Sequence, residues 1–188
     1  MRERRRVAVV GATGVVGQTI LQVMHERKFP AKEVIPLASA KSVGKMVSYG
    51  FEELEVEDLA KFDFKGIDIA LFSAGGEISK QYAPIAAQAG CVVIDNTSCF
   101  RYEDDIPLVV PEVNPHAIAQ YKKRGIIANP NCSTIQMVVA LKPIYDAVGI
   151  ERINVATYQA VSGTGQKAIR ELIDQLSALL NGRSIPPE

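Results

Sequence analysis

The chain has 188 residues, 47% of them hydrophobic and few aromatic, and its 21 basic and 21 acidic side chains leave no formal net charge. That balance gives no basic face for nucleic acid. No apolar run reaches the roughly 20 residues that span a bilayer, and the length suits one domain, or one domain and part of a second. The cluster Arg2, Arg4, Arg5 and Arg6 reads as a solvated terminus. The apolar stretch after it is too short and Gly-rich for a signal peptide, so a soluble cytoplasmic protein is expected. Cys91, Cys99 and Cys132 are odd in number and lack metal-ligand spacing, so neither a disulfide framework nor a metal site is expected.

Apolar runs alternate with helical patterns, the signature of βαβ units and a parallel sheet with helices on both faces. Val7–Val10 reads as a buried strand and 16–28 as a helix. A second strand follows at Val34–Ala38, and the acidic stretch 51–63 reads as surface structure. Strands are expected at Ile67–Phe72, Cys91–Ile94, Leu108–Val110 and 125–128, with a helix at 78–89 between the first two. Asn129-Pro130-Asn131 stops the last of them, and the composition break is placed there. A helix over 133–148 ends at Gly149. A long strand is expected at Ile153–Val161. A final helix over 165–180 carries Ile169, Leu172, Ile173, Leu176, Leu179 and Leu180 at clean helical spacing. His25, late in the first helix, reads as a surface residue, and His116 as a turn or helix start.

Gly11-Ala12-Thr13-Gly14-Val15-Val16-Gly17 joins the first strand to the first helix. Its glycines recur every third residue, a relative of the G-x-G-x-x-G fingerprint. Gly11 allows the tight turn, Gly14 lets backbone N–H groups approach a pyrophosphate, and Gly17 lets the helix close on the strand. The helix N-terminus favours the anion. At the end of the second strand, where an acidic residue would bind a ribose 2′-hydroxyl, the chain reads Ala38-Ser39-Ala40-Lys41-Ser42. Lys41 and Ser42 suit a 2′-phosphate, so NADP is expected over NAD.

Cys132 follows Asn129-Pro130-Asn131 and precedes Ser133-Thr134 at a helix start. The helix dipole there stabilises a thiolate, and free N–H groups of the first turn can hold an oxyanion. Together they suit acyl transfer. The plainer reading makes Asn131 or Ser133 a helix cap and Cys132 a small filler. Cys91 reads as core and Cys99 as a neutral loop residue.

Taken with Asp95-Asn96-Thr97-Ser98, Phe100-Arg101, Val110-Pro111-Glu112-Val113-Asn114 and Tyr158-Gln159-Ala160-Val161-Ser162-Gly163, these motifs resemble the aspartate-β-semialdehyde dehydrogenase family, in order along nearly the whole chain. The resemblance implies a Rossmann-like NADP-binding domain over 1–130, and over 131–188 the truncated start of an α+β catalytic and dimerisation domain. It implies reduction of L-aspartyl 4-phosphate by NADPH to L-aspartate 4-semialdehyde and phosphate, in lysine (through diaminopimelate), threonine, methionine and isoleucine biosynthesis. Cys132 would form the acyl-enzyme thioester, Gln159 would orient the substrate or thioester, and Arg101 would bind the phosphate. Gly11, Thr13, Gly14, Val15, Val16, Gly17, Lys41, Ser42, Ser162 and Gly163 would line the cofactor site. Asn131 has two readings, phosphate contact or helix cap. The family works as a dimer or higher homo-oligomer, with no nucleic-acid or membrane partner.

Family members are nearly twice this length, and their general-base His lies beyond residue 188. Neither His25 nor His116 is assigned that role. The chain alone is expected to bind NADP weakly and turn over little, with the 153–161 strand an unpaired edge prone to association. Rival readings are an N-acetyl-γ-glutamyl-phosphate reductase, a glyceraldehyde-phosphate dehydrogenase (disfavoured by the nucleotide loop), and a non-catalytic nucleotide-binding module.

Overall fold

The computed structural model describes residues 4–185. They divide into two compact units, with the boundary between Asn154 and Val155. The first holds, in chain order, β1 (Arg5–Val10), α1 (Val15–Glu26), β2 (Ala31–Ala38), β3 (Met46–Tyr49), β4 (Glu52–Glu55), β5 (Glu57–Asp58), β6 (Ile69–Phe72), α2 (Gly76–Gln88), β7 (Val92–Asp95), β8 (Ile126–Ala128) and α3 (Cys132–Val148). The second holds α4 (Gln166–Leu180).

The main sheet runs β5-β2-β1-β6-β7-β8, every pairing parallel. The chain builds outward from β1 through β2 to β5, then crosses back to β6 and builds the other way. The order therefore reverses between β1 and β6, and the carboxyl ends of those strands open a crevice. This is the Rossmann-like α/β sheet expected from the alternating pattern.

The period of two along β1 divides the core. Val7 and Val9 point to the face covered by Leu21 and Met24 of α1. Ala8 and Val10 point to the face covered by Ala83 and Ala86 of α2. A strand covered on both faces can be apolar throughout, as Val7–Val10 is. All four are fully buried. β1 begins two residues earlier than expected, because the arginines before Val7 are paired. Arg5 bridges Asp68, and Arg6 bridges Glu33. Arg2 lies outside the described residues.

The acidic stretch carries more order than the sequence suggested. β3 and β4 form an antiparallel hairpin. Val47, Val56 and Leu59 are buried beneath the acids. The hairpin turn lies on α1: a Cβ on Gly50, where φ is +65°, would collide with the His25 imidazole. His25 meets Tyr49 and Phe51 edge-on, with ring centroids 5.5 and 6.0 Å apart. His25 is thus half-buried rather than a surface residue.

Leu108–Val110 forms one isolated bridge, Leu108 to Ala128, and no strand. The Asn114 side chain takes the groups that would extend a ladder, accepting from Val110 N (2.8 Å) and donating to Leu108 O (2.9 Å). Ile153–Val161 is also not a strand. Strands are defined by inter-strand hydrogen bonds, and residues 152–160 have no ladder partner among the described residues. In the second unit, Gly165 (φ +100°) turns the chain into α4, whose apolar stripe leaves Leu172, Ile173, Leu176, Leu179 and Leu180 exposed.

Candidate active site

The glycine loop sits at the carboxyl end of β1, beside the reversal point. Gly11 N and Ala12 N both donate to Leu37 O on β2, at 2.8 and 3.2 Å, which turns the chain sharply. Gly11 has φ +88°, and a Cβ there would meet Ala74 N at 2.9 Å. Glycine is therefore required both for the turn and for the approach of the β6 loop. At Gly17 a Cβ would overlap the Gly11 carbonyl oxygen and come within 2.8 Å of Ala12 Cα. α1 starts at Val15, with Gly14 as a cap that offers no side chain. The first-turn N–H groups at Val15 and Val16 thus carry the positive end of the helix toward the crevice.

Lys41 and Ser42 lie on a single 3-10 turn just past the end of β2, Lys41 exposed and Ser42 half-buried. A carboxylate does stand beside this strand end, supplied by β5: Asp58 pairs in register with Ala38. Its Oδ1 accepts from Ala60 N at 3.1 Å, so it caps its own turn.

The β6 loop escaped the sequence reading. Ser73-Ala74-Gly75-Gly76 forms the far wall of the crevice. Ser73 N donates to Val10 O at 2.9 Å, and Gly75 has φ +98°. A Cβ on Gly75 or Gly76 would have nothing within 4 Å, so their backbone is open to a ligand. The glycine pair between a strand and a helix was the available signal.

Cys132 is the first residue of α3 and is exposed. Asn131 is the helix cap, its side-chain oxygen accepting from Ser133 N at 3.0 Å. The other thiols differ. Cys91 is buried, its Sγ 3.5 Å from Phe64 O, and burial followed by the Asp68 charge pushes its pKa up to about 11. Burial, then Asp95, also raises Cys99. Both stay protonated at neutral pH.

Arg101 is tied to the approach to Cys132. Its Nε donates to Asn129 O at 3.0 Å and its Nη2 to Asn96 O at 3.2 Å. Asn129 Nδ2 donates to Asn96 Oδ1, and Asn129 N to Asp95 O at 2.8 Å. Asp95 is fully buried and accepts from Ser79 Oγ (2.7 Å), Thr97 Oγ1 (2.7 Å) and Thr97 N (3.2 Å). The structure thus ties Arg101 to Asn129, three residues before Cys132, and it groups Gly11–Gly17, Lys41 and Ser42 along the carboxyl edge of β1 and β2. Gln159, Ser162 and Gly163 belong to the second unit. There Gln159 Nε2 donates to Thr157 Oγ1 at 3.3 Å, and Ser162 O and Ala160 O accept from the Gly165 and Gly163 N–H groups.

Residues 6–121 match the model of the semialdehyde dehydrogenase NAD binding domain, and residues 141–188 match that of the semialdehyde dehydrogenase dimerisation domain. The chain is 68% identical over 183 residues to an aspartate-semialdehyde dehydrogenase of Legionella pneumophila, covering 97% of this chain and 53% of that protein. It is similar to the crystal structure of aspartate semialdehyde dehydrogenase II from Vibrio cholerae complexed with ASA, with TM-score 0.95 and 59% identity over 99% of this chain and 55% of that one. It is also similar to an aspartate semialdehyde dehydrogenase with NADP from Candida albicans, with TM-score 0.65 and 28% identity over 79% of this chain and 48% of that one. The chain spans about half the length of the relatives it matches.

Proposed function

The chain belongs to the semialdehyde dehydrogenase family, and we propose that it supplies the cofactor cradle and nucleophile for NADP-dependent reduction of L-aspartyl 4-phosphate to L-aspartate 4-semialdehyde. The observation that carries this reading is the pairing of an exposed Cys132 at a capped helix start with an Arg101 anchored to Asn129, three residues before it.

The crevice suits a dinucleotide. Gly14 lets a pyrophosphate approach the Val15 and Val16 N–H groups, with Thr13 beside them, while Gly11 and Gly17 set the turn and the close packing of α1 on β1. Lys41 and Ser42 suit the 2′-phosphate, which favours NADP. Gly75 and Gly76 offer open backbone across the crevice. A reduced nicotinamide dinucleotide held there would supply the hydride needed to reduce a thioester to an aldehyde.

The remaining chemistry belongs to the chain. The Cys132 sulfur attacks the acyl carbon of the acyl phosphate, the C–O bond to phosphate breaks, and the leaving phosphate carries the electron pair. First-turn N–H groups of α3 stabilise the oxyanion formed on the way. Arg101 holds the phosphate with the guanidinium edge that the two carbonyls do not occupy. The family resemblance gives Gln159 the role of orienting the substrate, and Ser162 and Gly163 a role in cofactor binding. In this reading the nucleotide-binding domain covers 1–130 and the catalytic domain begins at 131. The product feeds lysine, threonine, methionine and isoleucine synthesis in the cytoplasm, and the assembled enzyme is a homodimer.

Neither His25 nor His116 is assigned as the base in this scheme. Without an assigned base, little turnover is expected of these residues. An assay of this polypeptide with aspartate 4-semialdehyde, phosphate and NADP tests that. NADPH formation at the rate of a complete enzyme contradicts the expectation of low turnover. Absence of NADP binding at millimolar concentration contradicts the cradle.

A further inference from the structure

We propose that Asn129 is a positioning residue, whose side chain fixes the Arg101 guanidinium relative to the turn that carries Cys132. The proposal rests on the reading of Arg101 as the phosphate-binding side chain. Arg101 is held by two backbone carbonyls from different segments. Asn96 O follows β7, and Asn129 O follows β8. Such a fork keeps one orientation only while the two carbonyls keep their spacing.

The β7–β8 ladder pairs Asp95 with Ala128 and ends there. Beyond it Asn129 N still reaches Asp95 O. From that point the two chains diverge, Asn96 toward the Thr97–Phe100 loop and Asn129 toward Pro130. The side-chain bond from Asn129 Nδ2 to Asn96 Oδ1 bridges the two segments at the level of the carbonyls that hold Arg101. Asp95 secures the floor beneath them, fully buried and held by Ser79 and Thr97. The same Asn129 opens the Asn129-Pro130-Asn131 turn into α3, so one residue couples the anion-binding side chain to the thiol. An arginine pinned along one edge offers its other N–H groups in a fixed plane, which is what an oxyanion of phosphate geometry requires. Freed from the fork, the same charge samples many rotamers and loses that advantage.

The test follows alkylation of Cys132 by iodoacetamide, read by mass spectrometry on this polypeptide, with inorganic phosphate as the protecting anion. Wild type is expected to be protected by phosphate, and Arg101→Ala to lose protection. Asn129→Ala is expected to need about fivefold more phosphate for half-protection, the cost of roughly one hydrogen bond, with its NADP dissociation constant within about twofold of wild type. Asn96→Ala removes the same bond from the other side and should give the same shift, so it decides the matter if Asn129→Ala does not fold. Protection unchanged in both asparagine variants but lost in Arg101→Ala overturns the positioning role and leaves the reading of Arg101 standing. A parallel loss of NADP affinity also overturns it, because it reports general disorder. Wild type that phosphate does not protect, or Arg101→Ala that it still protects, removes both.

Discussion

The Gly17 Cα lies directly beneath the Gly11 carbonyl, so close that a Cβ at position 17 would overlap the oxygen. The first turn of α1 and the end of β1 are therefore one rigid piece. Gly17→Ala should destabilise the fold by about 3 kcal/mol, the upper range for forcing a methyl into packed backbone. It should also weaken NADP binding by at least about tenfold. Gly14→Ala, whose Cβ would stand 3.3 Å from the same oxygen, should cost under about 1 kcal/mol. Thermal melts and fluorescence titration with NADPH compare the two.

Lys41 is exposed on the turn past β2. Lys41→Ala should weaken NADP binding about fivefold, as expected for one solvent-facing charge on a phosphate, and leave NAD binding unchanged. Isothermal titration with the two cofactors measures the difference. Equal loss for both would place Lys41 away from the 2′-phosphate.

Cys91 provides an alkaline signature. Its thiol is buried, and its pKa is raised to about 11 in the fold. The folded state thus holds the proton more tightly than the unfolded chain does. The stability this provides is complete below the unfolded thiol pKa and is lost as pH climbs through the folded value. Wild type should lose stability between about pH 9 and 11. Cys91→Ala, though less stable at neutral pH, should show a flatter melting profile across that window.

Asp68 works in the opposite direction. The Arg6 backbone N–H, at 2.7 Å, holds its carboxylate below the ordinary range, with help from Arg5. The stability contributed is present above the unfolded carboxylate pKa and is lost as pH falls through the depressed one. Asp68→Asn should melt below wild type at neutral pH, and the two curves should converge in acid.

The elements that the sequence reading located best are the long periodic ones and the glycine loop. β1, α1, α2, α3 and α4 each fall within about two residues of expectation because their apolar spacing has no competing interpretation. The β3–β4 hairpin was missed because its inward side chains are few, Val47 and Tyr49 on β3 and Leu54 alone among the acids of β4. With the hairpin went the environment of His25. Ile153–Val161 has strand composition, but a ladder needs a partner that composition cannot supply. At the site, Cys132 and its helix start were readable from residue order. The hold on Arg101 was not, because backbone carbonyls of Asn96 and Asn129 make it, and those carry no side-chain signature.

The most direct test of the account is the site of covalent capture. The polypeptide is treated with a chloromethyl ketone analogue of aspartate 4-semialdehyde at neutral pH, and the three cysteine peptides are quantified by mass spectrometry. An exposed Cys132 at a capped helix start, beside two thiols kept protonated by burial, predicts labelling at Cys132 far ahead of Cys99 and Cys91, slowed by phosphate. Equal labelling of the three, or labelling led by Cys99, contradicts Cys132 as the nucleophile.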